Sequence, residues 1–417
     1  MSALFAAIFL LGLCLANAVN LTTVYEWDKF DFISNGQIKQ IFDPKNVYFR
    51  YMAVFGERLF LSLDREYGIP ATLVWLPTCG STTASPKLSP FPSWDLHKKD
   101  DCDTIQFAKG MEMDPDGRLW VLDQGSSKCS SKIWIFDLIN SDKTEIVHQF
   151  PDTVVSPSFD KRELQDVVLE KTPDDYLAYI ADSKYEHIVV YSRKMDKSWS
   201  VKTPGKWVSL ALSPKREARQ LYLGSRFSSQ LFSVSLSEMK NEGGSAGVYY
   251  IGEWTEFYYR MLMDSANVLY AAFYNQNYVS KWNISEPFRE QRLLEVGERE
   301  ATWSFTFALD TSGNLWITNR NETRVGNKTR HQLLKAAVGA RSYLFSPSTA
   351  LTTSGKTSDV VECSQTIVIW LLVCCLVVCG AVIAWLTLRM RRMQTSFRQI
   401  PKDNRELMPI SGETRNN

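Results

Sequence analysis

Histidine is scarce in this chain, with only His97, His148, His187 and His331 among 417 residues. No H-E-x-x-H word is present, so a zinc-protease helix is excluded. No two cysteines stand in C-x-x-C spacing, which removes the usual structural zinc site. Charge of one sign is also lacking. The net charge is +1, so no strong field favours nucleic acid. Helical periodicity is rare. The best short amphipathic helical window is "RHQLLKAAVGA" near residue 330, which argues against a helical bundle. What the chain does have is 45% hydrophobic and 12% aromatic residues, enough for one large domain or two smaller ones.

Long apolar runs occur only at the two ends. Residues 1–18 hold "ALFAAIFLLGLCLA" followed by Ala16-Asn17-Ala18, the pattern of a cleaved signal peptide. Residues 367–388 are 22 residues without a charge, about 33 Å as a helix, which is enough to cross a bilayer. "RMRR" follows at once, so that end is expected in the cytosol. Seven basic and three acidic residues follow residue 388. The expectation is a single-pass type I membrane protein with a lumenal or extracellular domain. Residues 346–366 are Ser/Thr-rich and read as a stalk, and residues 389–417 as a short cytoplasmic tail. Four glycosylation sequons, at Asn20, Asn283, Asn321 and Asn327, all fall on the expected outside. Cys79, Cys102, Cys129 and Cys363 remain there, an even number in an oxidising compartment, and four cysteines allow three pairings.

Between the two ends one pattern recurs. "GRLWVLDQG" follows the turn word Asp114-Pro115-Asp116-Gly117, and its apolar run reads as a strand buried on both faces. Related words occur at Leu59-Phe60, Leu119-Trp120, Ala178-Tyr179, Leu221-Tyr222, Leu269-Tyr270 and Leu315-Trp316. The intervals are 60, 59, 43, 48 and 46 residues, the length of one four-stranded propeller blade. Second strands follow at 132–138, 187–193, 230–236 and 278–284, each reached through a hairpin. Six units predict an all-β, six-bladed β-propeller over residues 19–345, with a single C-terminal transmembrane helix. The repeated apolar strand is expected to be the innermost of each blade.

The same stretches resemble the yellow / major royal jelly protein family. The resemblance rests on "RYMAVFGERLFLSLDREYGIPATLVWL", "SPFPSWDLHKKDDCDTIQF" and "MDPDGRLWVLDQGSSKCSSKIWIFDL". It continues through "AYIADSKYEHIVVYSRKMDKSWSV", "RQLYLGS", "NYVSKWN" and "GNLWITNR". The chain departs from the family pattern at Asp116 and Lys281, where cysteines are usual, at Asp64-Arg65-Glu66, and in a short passage between Trp199 and Ser209. With no cysteine at 116, the resemblance implies that Cys129 pairs with Cys102. It also implies a six-bladed propeller and a range of functions: pigmentation with dopachrome conversion, or capture of biogenic amines in the central channel.

Candidate site residues follow from the repeat. Three positions past each aromatic lie Leu63, Asp123, Asp182, Ser225, Phe273 and Asn319, expected near one end of the channel. Asp123 and Asp182 would neutralise an ammonium, with Asn319, Phe273 and Tyr274 around an aromatic ring. The competing expectation is that the two aspartates bond only to backbone N–H groups in their own turns. Asp123, Asp182 and Asn319 are too few oxygens for a Ca²⁺ ion, which takes about six to eight, so neither metal nor cofactor is expected. The expected partners are a small aromatic or amine ligand and a membrane, not nucleic acid. Turnover of a dopachrome-like substrate and a cell-surface interaction module without catalysis are the two alternatives.

Overall fold

The computed structural model describes residues 19–33, 42–65, 68–78, 85–214, 218–296, 306–323 and 328–345. The expected signal peptide, stalk, membrane span, tail, Asn327, Cys79 and Cys363 lie outside these residues. No helix among the described residues is long and apolar enough to cross a membrane.

The described strands form six antiparallel four-stranded sheets. The first strands of the blades are Phe49–Phe55, Ala108–Met113, Leu164–Lys171, Trp207–Leu212, Tyr258–Met263 and Phe307–Leu309. They approach one another around a common axis and line a channel. In blades 1 to 5 three strands follow outward by hairpins. Blade 6 is closed by the N-terminus, because Leu21–Trp27 pairs with Lys328–Ala337 as its outermost strand. The all-β six-bladed propeller is therefore as expected from the repeat.

Two details differ from expectation. The repeated apolar strands, Arg58–Leu63, Arg118–Asp123, Tyr176–Asp182, Gln220–Ser225, Val268–Phe273 and Asn314–Thr323, stand second in each blade rather than innermost. A second strand is covered on both faces by neighbouring blades and can be uniformly apolar. A first strand turns one side to the channel and carries polar residues there. The helical window near residue 330 is the strand Lys328–Ala337, held between two partners from His331 to Ala336. Tertiary pairing overrides its helical periodicity. The short passage after Trp199 completes both blades it joins: Lys197–Lys202 closes blade 3, and Trp207 begins blade 4.

The repeated aromatic has a local reason as well as a packing one. Asp114 opens the hairpin into the second strand of blade 2. One of its oxygens accepts from the backbone N–H of Asp116 and Arg118, at 2.9 and 3.0 Å. The other accepts from Trp120 Nε1 at 2.8 Å and Arg118 Nε at 2.6 Å. Asp310 does the same for Ser312, Asn314 and Trp316. Asp264 repeats it for Ala266, Val268 and the Tyr270 hydroxyl. An aspartate six residues before the aromatic thus fixes the turn and satisfies the ring's polar tip, while the ring fills the space between blades. Close approach governs Gly110 on the inner strand of blade 2. A Cβ on Gly110 would lie 2.5 Å from the Gln165 carbonyl of the neighbouring inner strand.

The disulfide joins Cys102 to Cys129 with Cα atoms 5.2 Å apart. It ties the approach to blade 2 to the loop between that blade's second and third strands.

Deeper in the channel is a cluster of ionisable groups. Arg260 Nη1 stands 3.5 Å from Asp166 Oδ1, and its guanidinium lies 4.4 Å from the centre of the Tyr51 ring. Asp166 also accepts from Ser209 Oγ and from the Leu210 and Val167 N–H groups. Glu112 keeps some accessible surface, but that surface faces the channel lumen. Burial pushes its carboxyl up to about 8, although Arg260 draws it down. Below this cluster Ser342, Tyr343 and Phe345 line the lumen. The Tyr343 hydroxyl accepts from Leu169 N at 2.7 Å and donates to Leu169 O at 3.1 Å. The channel is filled from this end and open at the other.

Two predictions follow from these contacts. Asp114→Ala leaves a buried indole N–H and the Arg118 Nε–H unpaired, while Arg118 Nη2 keeps Asp116, and should cost about 2–3 kcal/mol in urea unfolding. A cost near zero would contradict the role given to this carboxylate. Glu112 holds its proton more tightly in the folded state, so its contribution to stability is complete below about pH 4.5 and is lost as pH rises through about 8. Glu112→Gln should therefore flatten the fall in thermal stability between those values. An unchanged pH profile would show that Glu112 is not protonated in the fold.

Candidate functional site

The open end of the channel holds a cavity of about 280 Å³. Two sets of residues build it. The starts of the inner strands supply Arg50 and Tyr51, Lys109, Gln165, Val208 and Tyr259, together with Glu163 just before its strand. The ends of the outer hairpins supply Arg226, Phe227, Tyr274, Asn319, Arg320 and His331.

The lining is cationic. Four basic side chains, Arg50, Lys109, Arg226 and Arg320, face one carboxylate, Glu163. Arg226 Nη2 donates to Glu163 Oε1 at 2.5 Å, and Ser183 Oγ donates to Glu163 Oε2 at 2.7 Å. Burial works against the ionised form of Glu163, but Ser183 and Arg226 together hold it below the usual carboxylate range. Arg50 is paired with Asp64, which stands behind it, with Nε at 2.8 Å from Oδ2. Arg320 donates to the Lys45 carbonyl at 3.0 Å and lies over the Tyr48 ring, 4.5 Å from its centre.

Lys109 differs from the three arginines. Its side chain is almost fully buried, and among the described residues no carboxylate stands within salt-bridge distance of its ammonium. The nearest aromatic, Phe107, has its ring centre 4.1 Å from Nζ. Burial, reinforced by Arg50 and Arg226 and opposed by Asp64 and Glu163, pulls the amine down to about 8.

One wall is aromatic. The Tyr259 and Tyr274 rings meet edge to face at 5.2 Å, and Phe227, which is 65% exposed, leans on Tyr274 at 5.5 Å. Burial pushes the Tyr274 phenol up to about 12, so it stays a hydrogen-bond donor at neutral pH. His331 turns Nε2 to the Pro44 carbonyl at 2.9 Å, and burial lowers it to about 3, so the ring is neutral and Nε2 carries its proton.

Of the residues singled out in the sequence, Tyr274 and Asn319 line this cavity, and Asp123, Asp182 and Phe273 do not. Asp123 is 1% exposed and accepts from the N–H groups of Gln106, Phe107 and Gly125 and from Trp134 Nε1. Asp182 is fully buried and accepts from Glu163 N and Lys184 N at 3.0 Å, with His187 Nε2 3.8 Å from its other oxygen. Both aspartates clamp the segment that enters the inner strand of their own blade, which is the local alternative stated for them above. Arg162, buried beside them, donates to the carbonyls of Gln124, Ser126, Cys129 and Pro157 and so locks the disulfide loop to the entry of blade 3. Phe273 packs against Tyr278 of its own blade and Trp254 at the end of blade 4. Asn319 donates to Gln332 Oε1 at 3.2 Å.

Sequence reasoning missed Arg50, Lys109, Glu163, Arg226 and Tyr259. For all but Arg226, which follows a second strand, the signal was a polar residue at or just before the start of an inner strand, as in "YFRYMAVF", "FAKGMEM" and "FYYRMLM". One further word, Gly243-Gly244-Ser245-Ala246-Gly247, spells the G-x-S-x-G of a nucleophile elbow. It lies in a connection, with Ser245 bridged to Lys202 and a strand rather than a helix after it, so the strained strand-to-helix turn that exposes such a serine is missing. Of the sequons, Asn20 is exposed and Asn283 half-buried at the end of its strand.

A family model described as Major royal jelly protein matches residues 108–206 and 202–333, more than half of the chain. Among curated relatives, protein yellow of Drosophila yakuba is 26% identical over 351 residues, covering 72% of this chain and 64% of the relative. Protein yellow of Drosophila melanogaster matches with the same figures. The chain thus spans 64% of the length of these two relatives. Among solved structures, a gluconolactonase from Xanthomonas campestris superposes with a TM-score of 0.48 at 12% identity, covering 77% of this chain and 92% of that one. A luciferin-regenerating enzyme gives 0.46 at 10% identity, covering 72% and 95%. On the family match, this chain belongs to the yellow / major royal jelly protein family.

Proposed function

We propose that this chain is a yellow-type propeller that binds a small planar aromatic ligand carrying an anionic group at the open end of its channel. The observation that carries the reading is the lining of four basic side chains against one carboxylate, beside a wall of Tyr259, Tyr274 and Phe227. Charge-assisted bonds from guanidinium groups hold a carboxylate more firmly than neutral donors do, and the ring fills the aromatic side. The biogenic-amine expectation needed a free carboxylate. Asp123 and Asp182 are buried outside the cavity, Glu163 is paired with Arg226, and Asp64 with Arg50. Dopachrome, an indoline quinone with a carboxylate, has the sign and the flat ring this lining favours. Its conversion at the site is a further step that Lys109, titrating near neutral pH, would be suited to assist by proton transfer.

Indole-3-acetate and tryptamine share a ring and differ in charge, so titration calorimetry with the two decides the sign. Indole-3-acetate should bind about tenfold or more tighter, a difference of about 1.4 kcal/mol, and Arg226→Gln should erase most of it. Tighter binding of tryptamine would overturn the reading. Faster loss of dopachrome absorbance than the spontaneous rate would add turnover to binding.

We also propose that residues 1–18 export the chain and residues 367–388 anchor it, with the propeller outside the cytosol. Support comes from the uncharged 22-residue run with its basic flank, and from sequons confined to the other side of it. Chain isolated from eukaryotic cells should lose mass on treatment with an N-glycosidase, less so in Asn20→Gln, and should stay with the membrane pellet in alkaline carbonate. An unglycosylated chain in the carbonate supernatant would contradict this placement.

A further inference from the structure

The lysine of the cavity does no work in binding that an arginine would not do better. Arg50, Arg226 and Arg320 already supply fixed positive charge. Lys109 stands among them, nearly fully buried yet part of the lining, and among the described residues no carboxylate lies within salt-bridge distance of its ammonium. The groups around it come from every neighbouring blade: Arg50 and Asp64 from blade 1, Glu163 from blade 3, Arg226 from blade 4, Tyr259 and Tyr274 from blade 5, and Arg320 and His331 from blade 6. The two carboxylates nearest in this set are each committed to an arginine. A primary amine in such a place gives up its proton more readily than an ordinary lysine and lines the cavity where a ligand would lie.

We propose that Lys109 is a nucleophilic amine that captures an anionic aromatic aldehyde as an imine. This rests on the reading of the cavity as a site for anionic aromatic ligands and adds a carbonyl to the ligand's chemistry. In the step, the Lys109 nitrogen lone pair adds to the carbonyl carbon and the C=O π pair moves to oxygen. That oxygen takes up the amine's protons and leaves as water, and the C=N bond takes the place of C=O. No oxidant or reductant enters. The Tyr274 hydroxyl, protonated at neutral pH, is a donor in the same cavity for the departing oxygen. Cationic side chains around the site hold the ligand's anionic group, and they also disfavour a protonated amine, which keeps Lys109 nucleophilic.

The test uses pyridoxal 5′-phosphate as the probe, an aromatic aldehyde with a phosphate. The purified full-length chain is incubated with the probe, reduced with borohydride and mapped by peptide mass spectrometry. With its amine near 8, Lys109 has at pH 7.5 a neutral fraction on the order of a hundredfold larger than that of an ordinary lysine. It should be labelled first, ahead of exposed Lys161 and Lys194, and its labelling should level off above about pH 8 while theirs still rises. Lys109→Arg should remove the early label. Mapping on the native chain decides the matter even where that variant folds poorly. Labelling of exposed lysines ahead of Lys109, or none at Lys109, overturns the proposal. Pyridoxine 5′-phosphate, which lacks the aldehyde, separates the two readings. If it binds while Lys109 stays unlabelled, the anionic-aromatic site stands and the imine fails. If it does not bind, the site itself fails.

Discussion

The ring is closed by one pairing, and the open end of the channel depends on it. Leu21–Trp27 lies antiparallel to Lys328–Ala337, with Leu21 opposite Ala336 and Trp27 opposite His331. The first strand of the domain thereby becomes the outermost strand of the last blade. Gln332 Nε2 donates to Glu26 Oε1 across this pair at 2.5 Å. Trp27 stacks on Phe30, and Phe30 and Phe49 both meet the His331 ring edge to face. These contacts join blade 6, which carries Asn319, Arg320 and His331, to blade 1, which carries Tyr48 and Arg50. Without closure, the cations of the two ends of the chain would not face one cavity.

Electrostatics then sets what the cavity can hold. In a propeller every inner strand must be entered from the outside, and each entry exposes backbone N–H groups that a buried carboxylate can satisfy. Asp123 and Asp182 serve that need in blades 2 and 3, and burial raises both, so that several N–H donors are required to keep their charge. They stabilise the frame, and neither lines the cavity. The residues that line the cavity are the tips of the inner strands and hairpins, and these are mainly arginine, lysine and tyrosine. The Arg260, Asp166 and Glu112 cluster below, and Tyr343 beneath it, close the other end, so the cavity is a cup rather than a pore.

Much of the fold was legible in the sequence because its repeat is a physical unit. Leu119-Trp120 and its five counterparts mark strands that must be apolar on both faces, and one four-stranded blade separates each from the next. The order of strands within a blade was not legible from apolarity, because the most apolar strand is the one covered on both sides, not the one on the axis. The helical pattern around Leu333 misled for a related reason: its period is local, and its two strand partners lie at the far end of the chain and one hairpin away. At the site, Tyr274 and Asn319 were found because they fall at the end of a repeated strand. Lys109 and Arg50 were not, because a single charge in an apolar strand shows nothing of its neighbours until six such strands meet at an axis. Asp123 and Asp182 occupy the expected end of their strands, but whether a carboxylate turns to a ligand or to its own backbone depends on the loop before the inner strand.

The sign of the cavity is the central claim, and one crystal soaked in rubidium bromide tests it most directly. Anomalous scattering separates the two ions. Bromide among Lys109, Arg226 and Arg320, with no rubidium there, is the predicted result. Rubidium in the cavity, held by Glu163 or Asp64, would contradict the account.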